Sequence, residues 1–161
     1  MEPRAEPRAK LTKKSGESPG KEIMKIYLKE KPGGWKSYMG NLNEGDLKKE
    51  LDSRHITISK SATIGEGAKI GEWATIYDGA TIGDGATIGD GATIGKEATI
   101  GKEAIIYEGA AISKSATIGD GATIGEGATI SEGAAIVDRA IIGDRAIIGK
   151  GVEGGTEGEI N

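Results

Sequence analysis

The 161-residue chain carries 21 basic and 25 acidic residues, 28 glycines, and neither cysteine nor phenylalanine, for a formal net charge of −4. It therefore has no disulfide framework and no thiolate metal site, and no apolar run approaches the roughly 18 residues of a membrane span. Residues 57–161 hold 8 basic against 16 acidic side chains, and the first 56 hold 13 against 9. A basic front thus precedes an acidic body, which argues against a nucleic-acid partner and leaves the two parts able to attract each other. With no apolar leader core either, the default expectation is a cytoplasmic protein with no membrane partner.

Taken in order, residues 1–22 contain the echoed Glu-Pro-Arg-Ala of Glu2–Ala5 and Glu6–Ala9 and read as a disordered tail or an appended tag, with Met24 the alternative start. Residues 23–54 read as an N-terminal cap. A strand from Ile23 to Lys29, a turn at Lys31-Pro32-Gly33-Gly34 and a strand from Trp35 to Met39 make a hairpin. A short helix follows over residues 43–51, expected to start on an Asn or Asp cap and to place Leu47 and Leu51 on one face. This cap should cover Ile56 and Ile58. The alternative is a partner-binding module anchored by Tyr27, Trp35 and Tyr38.

Residues 55–151 are organised by a six-residue period. Isoleucine stands at every sixth position from Ile58 to Ile148, and alanine stands two residues earlier from Ala62 to Ala146, with Ile56 as the first, variant member. Within a unit such as Ala80-Thr81-Ile82-Gly83-Asp84-Gly85, the first three residues alternate in, out, in, as a short strand does. The Gly-rich remainder supplies a corner that tolerates positive φ. Three units close a triangular coil of 18 residues, giving about five stacked coils that need caps at their ends. Residues 152–161, rich in Gly and Glu, read as a flexible tail.

The run Ile-Gly-Asp-Gly-Ala-Thr resembles the hexapeptide repeat of the bacterial transferase hexapeptide superfamily, over about residues 56–151. The resemblance implies an all-β fold, a left-handed parallel β-helix, although the general preference is for right-handed crossovers. The near-consensus regularity also suits a designed or repeat-expanded member.

Residues 18 apart should stack in columns. Thr63, Thr81, Thr99 and Thr117 form an outward ladder, read first as a β surface and alternatively as an ice- or surface-binding face. Ile105, Ile141 and Ile147 stand outward where the pattern otherwise has threonine, and with Tyr107 and Val137 they predict an apolar patch for homo-oligomer contact. The resemblance implies a trimer packed side by side, and an uncapped C-terminal coil is the route to end-to-end assembly. At one corner Glu72, Asp90, Glu108, Glu126 and Asp144 stack as like charges, weak candidates for a divalent cation or a basic partner.

The superfamily's acyltransferases, as the resemblance implies, use a histidine base at a subunit seam with acyl-CoA along the coil. Its carbonic anhydrases need three zinc-binding histidines. This sequence has one, His55, placed before the first coil. It reads as structural first and as a weak candidate for catalysis second. No insertion interrupts the units, and the Gly-x-Gly pairs are corner residues rather than dinucleotide fingerprints. The expectation is therefore a self-associating, non-catalytic scaffold without a cofactor. The alternative is a trimeric acyltransferase using acyl-CoA.

Overall fold

The structure, a computed structural model, describes residues 23–150 in full, together with the backbone pairing of 153–154 and 159–160. A hairpin of β1 (Met24–Lys29) and β2 (Trp35–Gly40) and a helix α1 (Gly45–Ser53) precede a parallel β-solenoid. The solenoid begins with β3 (Thr57–Ile58), β4 (Thr63–Ile64) and β5 (Lys69–Ile70), one strand on each of three faces. Each later strand pairs in parallel with the one 18 residues away, as Thr81 does with both Thr63 and Thr99. Isoleucine lies over isoleucine inside every face, and from Ala68 to Ile130 the inward alanines and isoleucines are at most 1% exposed. No cap or loop interrupts this register between Ile58 and Ile148 because every unit has the same length.

The front end departs from the repeat where the period would fail. A strand 18 residues before β5 would fall inside α1, so β1 takes that place and pairs in parallel with β5, Tyr27 beside Lys69 and Leu28 beside Ile70. Leu28 then occupies the inward position that isoleucine holds elsewhere and Ile26 the one that alanine holds, both fully buried. β2 extends the same sheet by antiparallel pairing, making it eight-stranded against six on each other face.

α1 buries Leu47 and Leu51 against this end, as its spacing predicts. Its start differs from expectation: the N-cap is Glu44, which makes no side-chain cap bond, and the carboxylate of Asp46 lies in the first turn. Asn41 instead accepts the Asn43 N–H at 2.7 Å, holding the turn that leads into the helix. At the other end Ile56 N–H donates to Leu51 O and His55 N–H to Asp52 O, with His55 at φ 59°. These are the two bonds of a Schellman ending, and His55 fills the left-handed position that glycine usually takes.

Residues 1–22 lie outside the described residues. Of the C-terminal segment read as a tail, Glu153–Gly154 (β19) and Glu159–Ile160 (β20) pair with Ala135–Ile136 and Ile141–Ile142. The physical reason is register: Gly154 and Ile160 fall six and twelve residues beyond Ile148, so their backbones meet the same ladder.

Candidate functional site

From Gly67 to Arg145 each corner of the solenoid places one residue in the left-handed region, where a side chain strains the backbone, and His55 before the first coil does the same. Glycine fills most of these positions, and His55, Trp73, Glu97, Glu103, Ser115, Arg139 and Arg145 fill the others. His55 and Trp73 are one coil apart on the corner that follows the third face, and their rings stack with centroids 3.9 Å apart at 16°. Trp73 N–H donates to Arg54 O at 3.0 Å, which fixes the first coil to the end of the helix. His55 is solvent-exposed.

Arg54, beside it, is the hub of the cap. Its guanidinium donates to Glu30 at 2.6 Å, to Glu50 at 2.8 Å, to the Tyr38 hydroxyl at 3.1 Å and to the Lys29 carbonyl, joining both hairpin strands to α1. The Arg54 bond, ahead of the opposing desolvation, holds the Glu30 carboxyl below the usual carboxylate range.

The acidic column beside this corner is partly neutralised from within the chain. Lys29 meets Asp90 at 2.6 Å and Lys31 meets Glu72 at 3.5 Å, so the basic front supplies the cations that the stacked carboxylates lack. The Asp90 hydrogen bond holds the Lys29 ammonium above its ordinary value, against desolvation. Asp90 and Asp144 also accept the backbone N–H of the residue one coil back, Glu72 and Glu126. Asp84, Asp120 and Asp138 do the same on the corner that follows the second face. These aspartates satisfy corner amides that no strand ladder reaches. Among the described residues no three His, Cys, Asp or Glu side chains converge as a metal cluster.

The apolar residues come together in part. Ile141 is 47% exposed on the third face and Ile147 72% on the first, flanking one corner of the last full coil. Tyr107, 49% exposed, lies on the same corner two coils earlier. Ile105 is half-buried, and Val137 packs against the core, so neither extends the exposed patch far. Thr63, Thr81, Thr99 and Thr117 form the expected ladder, exposed and in register with Ala135.

Sequence reasoning did not single out Trp73, Asp84, Asp120 or Asp138, and it read Asp90 and Asp144 as stacked like charges rather than as caps for corner amides. Counting 18 residues from His55 reaches Trp73, and the same count pairs each aspartate with the amide it caps.

Residues 61–96 and 97–132 match the family described as bacterial transferase hexapeptide (six repeats). Both matched stretches lie wholly within the solenoid, whose hexapeptide units are of the kind that family's model describes. Among solved structures, the solenoid is similar to the acetyltransferase domain of PglB from Neisseria gonorrhoeae, at 27% identity and a TM-score of 0.59, covering 60% of this chain and 47% of that one. The same domain in complex with acetyl coenzyme A matches at 25% identity and a TM-score of 0.56, over 61% of this chain and 50% of that one. PerB from Caulobacter crescentus, solved with CoA and GDP-perosamine, shares the fold at 24% identity and a TM-score of 0.59, over 61% of this chain and 47% of that one. The chain thus spans about half the length of these structures. No curated protein matches it in sequence. These likenesses overturn the expectation of a non-catalytic scaffold, because the hexapeptide solenoids that this one resembles are acetyltransferases. Among the described residues no helix is long and apolar enough to cross a membrane.

Proposed function

We propose that this hexapeptide-repeat chain is an acyl-CoA-dependent acyltransferase that works as a homo-oligomer. The observation that carries the reading is the likeness to a hexapeptide acetyltransferase domain at 27% identity, a domain also solved with acetyl coenzyme A. The exposed Ile141, Ile147 and Tyr107 supply an apolar edge for subunit contact.

In this reading His55 is the general base, since histidine is the side chain suited to proton transfer near neutrality and the sequence has no other. It takes the proton from an acceptor hydroxyl or amine as that atom bonds to the thioester carbonyl carbon. The carbon–sulfur bond then breaks, and the proton passes to the departing thiolate. The stack on Trp73 holds the imidazole while leaving it accessible.

The test is thiol release from acetyl-CoA with amino-sugar acceptors, together with calorimetric binding of acetyl-CoA. His55→Gly should lower kcat at least about 100-fold. Glycine is preferred at the left-handed helix-ending position, so the melting temperature should not fall by more than the lost ring stack. A variant that transfers as fast as the parent removes His55 from the mechanism. Failure of the parent to bind acetyl-CoA sinks the whole reading.

A further inference from the structure

One backbone position recurs along the corner that follows the third face: His55, Trp73, Gly91, Gly109, Gly127 and Arg145 all lie at φ between 59° and 70°. Glycine occupies the middle of this column, as its conformation favours. At the front two bulky rings accept the strain instead, and they stack on each other.

His55 lies one coil before Trp73 and covers one face of the indole, yet Trp73 remains 61% exposed. One coil beyond stands Gly91 and then Gly109, and a Cβ built on either meets nothing within 4 Å. The second indole face therefore opens along the edge onto a place that holds no side chain. Coils repeat at about 4.8 Å, enough for one aromatic ring to continue the stack over Gly91. Further along the edge, Glu108 and Glu126 have no salt bridge among the described residues, whereas Glu72 and Asp90 are already met by Lys31 and Lys29. These unbridged carboxylates, of which Glu108 acts on Lys29 only at longer range, favour a ring carrying N–H donors and disfavour a phosphate.

We propose that Trp73, backed by His55, is a stacking platform for a planar amino-bearing heterocycle of the aminopurine nucleoside class, seated over Gly91. The site needs no acyl group, so it stands or falls separately from acyl transfer.

The test uses the full chain with Trp35→Phe, which leaves Trp73 as its one indole. Adenosine is titrated while Trp73 fluorescence is followed. The expected result is saturable quenching, with AMP binding at least about threefold more weakly because of the neighbouring carboxylates. Gly91→Arg, which fills the seat, should weaken adenosine about tenfold. Arg145 already stands in this column at φ 59°, so the backbone there accepts an arginine. Trp73→Leu, followed by equilibrium dialysis, should lose binding to a similar degree and guards against a misfolded Gly91 variant. Absence of saturable quenching overturns the proposal, as does parental affinity in either variant. AMP binding as tightly as adenosine overturns the choice of a nucleoside.

Discussion

At the scale of single residues, the solenoid's weak points are backbone positions rather than core side chains. Glu103 sits at φ 58° where Gly85 and Gly121, one coil to either side, have the residue that the conformation favours. Glu103→Gly should therefore raise stability by about 1 kcal/mol, and Gly109→Ala should lower it by a similar amount. The second substitution isolates the backbone cost, because an added Cβ at Gly109 meets only open space. Urea midpoints at unchanged slope check both. Arg54 is a different kind of point. Its side chain is 13% exposed and serves two glutamates whose side chains are 35% and 37% exposed. Arg54→Met should cost about 2 kcal/mol, less than a fully buried pair would, and should free the hairpin before the coils. A lowered urea midpoint with hydrogen-exchange protection lost first over 24–40 would show it.

At the scale of elements, two-residue strands cannot stand alone, and each is held by its neighbours one coil away. The hairpin is the exception in kind, attached by charge as well as by backbone pairing. Glu30 is depressed by Arg54, so its contribution is present above the ordinary carboxylate range and is lost as pH falls through it. Lys29 is raised by Asp90, so its contribution is present below the ordinary lysine value and is lost only at high pH. Asp78 and Glu132, depressed chiefly by hydrogen bonds from Ser59 and Lys150, add the same acid-side loss within the coils. Stability should thus be flat between about pH 6 and 9 and fall towards pH 3. Amide exchange in the hairpin should quicken before exchange at Ile88 or Ile106. Equal protection of hairpin and mid-solenoid at pH 3 would refute this electrostatic attachment.

At the scale of the whole molecule, the exposed apolar side chains are unevenly placed. Ile141 and Ile147 crowd the last full coil, while Trp73 stands at the front of the same edge. Light scattering should return a homotrimer if the rear of this edge, at Ile141 and Ile147, is the subunit contact that leaves Trp73 open, and Ile147→Lys should shift the mass towards the monomer. A parent that is monomeric at working concentration would remove the subunit seam from the proposed mechanism.

The sequence by itself determined the solenoid, because isoleucine at every sixth position and glycine at the corners leave no other period for a strand to follow. It also marked the hairpin and the buried pair Leu47 and Leu51 through local turn and helix spacing. It did not disclose that β1 would replace a missing coil strand, since that depends on α1 occupying the space. Nor did it show Lys29 and Lys31 meeting Asp90 and Glu72, partners 61 and 41 residues away. His55 was visible as a lone histidine, but its role in ending α1 and its stack on Trp73 arise only when the chain completes one coil. Periodicity fixes which residues share a column. Only the closed tertiary structure decides what the irregular residues at its front end touch, because those contacts follow no period.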